Sequence, residues 1–154
     1  MLLATVRIIL KNGVGGRLEV NALVDQGSMR SFVPKRVVSL LILSTVSAAI
    51  NIKGVGNSLA ATTKDFYRLT LRSSKSPTFS LDFDALILDQ LTSNLPSREI
   101  SVSNWTHTKG LNLADPNFME PKRIDCILGF CLYRSAWYYL WSSGNAYGSK
   151  YPIG

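Results

Sequence analysis

The chain has 154 residues, 46% of them hydrophobic and 18% charged, a balance typical of one compact domain rather than of two domains or a disordered tail. Lysines and arginines outnumber acids by 17 to 10, a net charge of +7, but the only adjacent basic pairs are Lys35-Arg36 and Lys122-Arg123. Such dispersed charge does not favour a nucleic-acid partner. The longest apolar stretch, residues 37–50, is interrupted by hydroxyl side chains and is too short to span a bilayer, so we expect no membrane partner.

The first forty residues predict a β-hairpin, a loop and a short helix. Strands are predicted over residues 5–10 and 18–24, because apolar and β-branched residues flank a glycine-rich turn. Residues 31–33 are strand-like. Pro34 suits the first position of a helix that continues through Leu41.

The middle of the chain predicts three further strands. Two of them, over residues 46–52 and 66–72, enclose the glycine-rich segment 54–58, which is flexible enough for a hairpin tip and a mobile flap. Residues 78–88 alternate apolar and polar side chains and predict another strand.

The last third changes in character. Residues 89–123 contain three prolines among polar spacers and predict a long irregular connection. Residues 124–128 predict a short buried strand that ends at Gly129, followed by a helix over 130–140 and a frayed end from 142. Many short strands punctuated by turns indicate a small, mainly β barrel or sandwich.

Few side chains are available for catalysis or for metal binding. A zinc site would need Cys126, Cys131, the single histidine His107 and a distant carboxylate, and no ligand spacing supports one. Serine or cysteine catalysis would also depend on His107, and the chain has no G-x-S-x-G elbow. We therefore expect no metal and no cofactor, which leaves carboxylates as the candidates for hydrolytic chemistry.

One carboxylate stands in a distinctive position. Asp25 comes directly after an apolar strand, and Gly27 and Ser28 follow it. The glycine permits a sharp turn, and the serine hydroxyl can bond back to the carboxylate. These residues also occur together in many ordinary turns, so the tetrapeptide alone leaves both interpretations open.

Three segments taken together resemble the retropepsin-like aspartic peptidases in order and spacing: Asp25-Gln26-Gly27-Ser28, the glycine-rich hairpin at 54–58, and Ile127-Leu128-Gly129. The intervening strings are more specific, because residues 91–97 (LTSNLPS) and 113–118 (LADPNF) are similar to the peptidase region of Pao-type (BEL/Pao) retrotransposon polyproteins. The resemblance extends from Leu2 to about Tyr133. It divides the chain into a peptidase domain, residues 1–133, and a divergent tail, residues 134–154.

The resemblance implies a mainly β, retropepsin-like closed barrel with one or two short helices, acting as an aspartic endopeptidase on its own polyprotein. Aspartic catalysis needs two carboxylates that share a proton, and one chain supplies one, so a homodimer is implied. The implied location is intracellular, in the cytoplasm or a virus-like particle. The implied site residues are the catalytic Asp25, the active-site loop Gln26, Gly27 and Ser28, the flap Gly54, Val55 and Gly56, and the supporting segment Ile127, Leu128 and Gly129.

Three features depart from the family pattern. Gln26 stands where relatives carry serine or threonine, Phe130-Cys131 follows Gly129 where relatives have a small residue and an aspartate, and the sequence from Arg134 onward is unfamiliar. An unpaired buried amide costs about 1–3 kcal/mol. The alternative hypothesis is therefore a catalytically impaired domain of the same fold that dimerises or binds peptides.

Three other acids are rival candidates for the carboxylate that would partner Asp25. Asp82 and Asp84 share one face of a predicted strand, and strand alternation predicts a solvated face for them. Asp125 precedes the Ile127-Leu128-Gly129 segment and is predicted to cap the chain there or to pair with Lys122 or Arg123. None of the three is assigned a catalytic role.

Overall fold

Seven strands form one continuous sheet in the computed structural model, which describes residues 3–43, 46–54, 56, 59–130 and 132. The elements are β1 Thr5–Lys11, β2 Arg17–Val24, β3 Ser31–Pro34, α1 Lys35–Leu41, β4 Val46–Lys53, β5 Leu59–Ser73, β6 Ser80–Leu88 and β7 Cys126–Leu128. The predicted tail over 134–154, and the predicted helix apart from Phe130 and Leu132, lie outside the described residues.

The sheet closes on itself. Its strand order is β1-β2-β7-β3-β6-β5-β4, and β1 also pairs with β5, so six strands form a barrel and β4 extends it beyond β5. A closed sheet leaves fewer unpaired strand edges. The fold class predicted from the sequence, a mainly β closed barrel with a short helix, is confirmed.

The predicted hairpin of β1 and β2 is also confirmed. The two strands pair antiparallel from Thr5 opposite Leu23 to Lys11 opposite Arg17. Alternate residues of β2 face inward, as the period of two requires, while Arg17 and Glu19 are exposed. The barrel core is apolar and includes Ile8, Leu10, Val20, Ala22, Val33, Leu69, Leu71, Phe83, Cys126 and Leu128.

Strand β5 is twice as long as the predicted strand over 66–72. Its first half, from Leu59, pairs with β4, whereas its second half pairs with β6 and, from Thr70, with β1. The polar run over residues 62–65 carries no apolar alternation, so its extended conformation follows from pairing across the hairpin. The buried Thr63 hydroxyl ties this hairpin to the barrel by donating to the Ile87 carbonyl at 2.7 Å.

Helix α1 packs against the barrel through Val37 and Leu41, which are buried. Pro34 ends β3 with extended backbone angles, and the helix begins one residue later than predicted. The proline ring fixes only φ, and its value suits both conformations, so ψ decides which element the residue joins. No helix among the described residues is long and apolar enough to cross a membrane.

The connection between β6 and β7 is irregular, as predicted, and includes a short 3₁₀ helix at Thr106–Thr108. Asp115, which is 3% exposed, anchors it. Its carboxylate accepts hydrogen bonds from the Thr5 hydroxyl of β1 at 2.5 Å and from Lys122 Nζ at 2.6 Å. Burial raises the pKa of Asp115, but the bonds from Lys122, Thr5 and the Asn117 N–H outweigh it, and the net shift is downward.

Candidate active site

The loop between β2 and β3 begins with Asp25, the first residue after the apolar end of β2. The Asp25 N–H donates to the Leu128 carbonyl at 3.0 Å, which continues the parallel pairing of β2 with β7 by one residue. The Asp25 carboxylate accepts from the Gly27 N–H at 2.9 Å, and the Ser28 N–H donates to the Asp25 carbonyl at 3.3 Å. These bonds hold the half-buried carboxylate in a tight turn.

The sequence predicts that the Ser28 hydroxyl can bond back to the Asp25 carboxylate, but the structure does not form this bond. It donates instead to the Arg30 carbonyl, at 2.7 Å. The physical reason is local: a serine hydroxyl has one proton to donate, and the Arg30 carbonyl two residues further along the chain accepts it. Ser28 therefore stabilises the second half of the loop rather than the orientation of the acid.

The end of β7 lies directly against this loop. Besides the Leu128 contact with Asp25, the Gly129 N–H donates to the Ser31 hydroxyl oxygen at 3.0 Å and the Phe130 N–H donates to the Ser28 carbonyl at 2.7 Å. A Cβ atom on Gly129 would lie 2.3 Å from the Arg30 carbonyl oxygen, so glycine is required by the close approach of the two backbones. Of the segment Ile127, Leu128 and Gly129 predicted to support the loop, the last two contact it directly, while Ile127 pairs with Leu23 and Phe32.

The outer side of the loop is exposed and partly apolar. Gln26 and Gly27 are exposed, Met29 is 66% exposed, and Phe130, which bonds to the loop through its N–H, is 41% exposed. One large exposed apolar side chain thus lies in the loop, and another lies on the segment bonded to it.

Two of the residues predicted to form a flap, Gly54 and Gly56, lie between β4 and β5. Gly54 and Gly56 are exposed, and Gly56 has a φ of 78°, which glycine adopts without strain. Val55 lies outside the described residues. The role of these three residues as a flap remains a prediction.

The exposed acids on β6 are engaged elsewhere. Asp84 pairs with Arg68 at 2.9 Å and Asp82 accepts from Thr70 at 2.6 Å, both on the exposed face that strand alternation predicts.

The buried Asp125 pairs with Arg36 at 2.6 Å and with Arg123 at 3.2 Å. The predicted pairing with Arg123 is thus confirmed. The alternative pairing with Lys122 is not formed, because Lys122 reaches the buried Asp115. Asp25 differs from these acids in that it lies in a loop, where its carboxylate accepts from a backbone N–H and has no basic side chain among its hydrogen-bond partners.

The residues that the structure describes include neither a metal-binding cluster nor an accessible thiol. No group of three or more His, Cys, Asp or Glu residues there could hold a metal ion. Cys126 is buried in the core, and burial, assisted by the neighbouring negative charge of Asp125, raises the pKa of its thiol. A thiol that is fully protonated and inaccessible is a packing residue rather than a nucleophile.

Two contacts at and around the site could not be inferred from sequence. Ser31 and Gly129 are 98 positions apart, and only the pairing of β3 with β7 places the Ser31 hydroxyl beside the Gly129 N–H. The Thr5–Asp115 bond joins residues 110 positions apart. Asp115 belongs to the LADPNF string, but no local pattern indicates that this aspartate anchors the connection to β1.

Three comparisons with known proteins gave a match among solved structures alone. No family model matches the chain, and no curated protein matches it. Among solved structures, the chain is similar to the EIAV protease complexed with the inhibitor HBY-793, with a TM-score of 0.42 and 15% sequence identity. The similarity covers 58% of this chain and 77% of that chain.

Proposed function

We propose that the chain is one subunit of an aspartic endopeptidase, with Asp25 as its catalytic carboxylate. The observation that carries the proposal is the construction of the loop: Asp25 follows a core strand, its carboxylate is oriented by the Gly27 N–H, and the end of β7 holds the loop from below. An acid held this way retains its geometry while staying accessible to a substrate and a water molecule.

The reaction requires a second carboxylate, and a second copy of the chain supplies it. One carboxylate accepts a proton from the attacking water while the other, protonated, donates one to the peptide carbonyl, so two acids must share a proton at close range. The exposed Met29 and Phe130 beside Asp25 are suited to a symmetric contact in which the two loops meet on a two-fold axis. The same shared proton predicts an acidic pH optimum.

The proposed substrate is a polypeptide, and the proposed context is a retrotransposon polyprotein. Support for the context comes from the resemblance of residues 91–97 and 113–118 to the Pao-type peptidase region. In that setting the enzyme acts inside the cell, in the cytoplasm or in a virus-like particle, and Gly54, Val55 and Gly56 cover the bound peptide.

The second candidate is a domain of the same fold without efficient catalysis, which dimerises or binds peptides. Gln26 favours it, because this exposed residue adjoins Asp25 where the two loops of a dimer would meet. Two glutamine side chains on a symmetry axis either pair amide to amide or separate the loops. In the second arrangement the carboxylates lie too far apart to share a proton.

The test is peptide cleavage read by mass spectrometry between about pH 4 and 7, over protein concentrations that span dimer formation. Wild type, Asp25→Asn and Gln26→Ser are compared. The proposal expects cleavage by the wild type and by Gln26→Ser, and none by Asp25→Asn, which has nearly the same shape and cannot ionise.

Each other pattern has a defined meaning. Cleavage by Gln26→Ser alone would identify the second candidate, a peptidase fold disabled at one position. If none of the three proteins cleaves the peptide at concentrations where it is dimeric, the proposed endopeptidase function is contradicted.

A further inference from the structure

We propose that Ser31 is a positioning residue that holds the Asp25 loop in its working geometry through Gly129; this inference rests on the proposed function. The Gly129 N–H donates to the Ser31 hydroxyl oxygen at 3.0 Å, and Ser31 is 6% exposed. The bond is therefore sequestered from water, which cannot replace it if the hydroxyl is lost.

The position of this bond relative to the loop is what gives it a role beyond stability. The end of β7 contacts the loop at two points, the Leu128 carbonyl at Asp25 and the Phe130 N–H at Ser28, and it contacts the first residue of β3 at a third, the Gly129 N–H at Ser31. The first two contacts join backbone to backbone. The third uses a side chain and stands between them in the sequence, so its loss affects the segment that holds both ends of the catalytic turn.

Ser31 is itself well anchored. It begins β3, where it pairs with Ala85 of β6, and the next residue, Phe32, pairs with Ile127. The hydroxyl thus belongs to the barrel rather than to the exposed part of the loop. Through its bond to this hydroxyl, Gly129 is fixed relative to the barrel. The adjacent Leu128 carbonyl, which accepts from the Asp25 N–H, in turn fixes the start of the loop.

The close approach at Gly129 makes this geometry sensitive. The Gly129 Cα lies so near the Arg30 carbonyl that the position has no room for a Cβ atom. When the Ser31 oxygen is removed, the Gly129 N–H must find another acceptor, and a shift of Gly129 toward Arg30 or Ser28 moves it against the backbone of the loop. A displacement of about 1 Å at a catalytic group is enough to lower the rate strongly.

The experiment compares Ser31→Ala and Ser31→Thr with a matched control, Thr70→Val, which removes a hydroxyl hydrogen bond between β5 and β6 on the outer face of the barrel. Peptide cleavage gives kcat and KM for each, and ¹³C NMR follows the titration of the Asp25 carboxyl. We expect Ser31→Ala to lower kcat about tenfold or more with KM nearly unchanged, and to move the midpoint of the Asp25 titration. Ser31→Thr, which keeps the hydroxyl, should restore both quantities substantially, and Thr70→Val should change neither.

Two results would overturn the inference. The first is a Ser31→Ala variant with the kcat and the Asp25 titration of the wild type. The second is a loss of kcat in both Ser31→Ala and Thr70→Val that follows only how far each variant is destabilised. If the wild type cleaves no peptide, the proposed function fails, and the NMR titration still decides whether Ser31 positions Asp25. If Ser31→Ala does not fold, the comparison of Ser31→Thr with Ser31→Val decides, because these two differ in the hydroxyl and not in shape.

Discussion

Gly129 shows how a single residue determines the shape of the candidate site. Its backbone passes beneath the Asp25 loop at a distance that excludes any side chain, and its N–H is bonded to Ser31. A glycine at the end of an apolar strand is usually explained by turn geometry. Here no positive φ is involved, and the requirement comes from the approach of another backbone.

Gly129→Ala is expected to destabilise the fold by about 3 kcal/mol and to abolish peptide cleavage, because the new Cβ would lie 2.3 Å from the Arg30 carbonyl oxygen, a backbone atom that cannot rotate away. Urea denaturation measures the first effect. The control is Gly13→Ala in the β1–β2 turn, where nothing lies within 4 Å of the added Cβ and the change should stay within about 0.5 kcal/mol. Similar stabilities for the two variants would contradict the close approach.

Cys126 should resist alkylation in the folded protein. Burial in the core, with a smaller effect from Asp125, raises the pKa of its thiol, so the reactive thiolate is scarce and unreachable at about pH 8. Peptide-level mass spectrometry after iodoacetamide treatment should find Cys126 unmodified in native protein and modified in urea. Rapid labelling without denaturant would show that β7 opens in the native state.

Among the structural elements, the irregular connection between β6 and β7 is joined to β1 by a buried carboxylate. Asp115 joins the start of β1 to the end of the connection, through Thr5 and Lys122. The Arg7 N–H of β1 also donates to the Ala114 carbonyl at 3.1 Å. The edge of β1 that β5 leaves uncovered is thus partly occupied by this connection.

Lys122→Met is expected to destabilise the protein by about 3 kcal/mol, because it leaves the charge of Asp115, whose side chain is 1% exposed, without its cation. Urea denaturation at neutral pH measures the loss. The control is Lys35→Met, which removes a pair with Asp89 whose two side chains are largely exposed, and it should change stability little. Equal effects would mean that Asp115 remains hydrated.

The same carboxylate predicts a pH dependence. The pKa of Asp115 is lower in the folded protein than its ordinary value of 3.8, so the stability it contributes is complete above that value and is lost as the pH falls through the folded pKa. Wild-type stability should therefore decline below about pH 4 more steeply than that of Asp115→Asn, in urea denaturation at a series of pH values. Parallel curves for the two proteins would show that Asp115 titrates normally.

For the molecule as a whole, the proposed catalysis requires a second carboxylate beside Asp25. Two other described acids, Asp115 and Asp125, are buried and form ion pairs with basic side chains. Two more, Asp82 and Asp84, are exposed on β6. We propose that a second copy of the chain supplies this carboxylate, and that the two copies associate through the surface around the Asp25 loop, which includes Met29 and Phe130. Activity should rise more steeply than linearly with protein concentration below the dissociation constant of the dimer.

Met29→Asp is expected to weaken that association about tenfold or more, since it places two like charges near the proposed two-fold axis and removes exposed apolar surface. Sedimentation equilibrium measures the dissociation constant. Val14→Asp, at another exposed apolar residue in the β1–β2 turn, is the control and should leave association unchanged. A stable dimer in Met29→Asp and a weakened one in Val14→Asp would place the interface elsewhere.

Local patterns predict much of the barrel. The hairpin of β1 and β2, the strand at β6 and the position of α1 follow from alternation and turn residues, which act over a few neighbours. The first half of β5 is not predicted, because its polar residues become a strand only by pairing with β4. The prediction for the Ser28 hydroxyl is wrong, since several acceptors lie within reach of a hydroxyl in a tight loop and only the folded chain selects one.

The order of the amino acids is sufficient to establish that the chain is mainly β, that Asp25 lies in a loop after an apolar strand, and that a glycine ends the strand near residue 129. Only the folded chain shows which strand packs against that loop and that Ser31 bonds to Gly129. It also shows that Lys122 forms its ion pair with Asp115 rather than with Asp125. The physical reason is range. Alternation and turn propensity depend on adjacent residues, whereas the buried hydrogen bond between Ser31 and Gly129, 98 positions apart, depends on how the intervening strands pair.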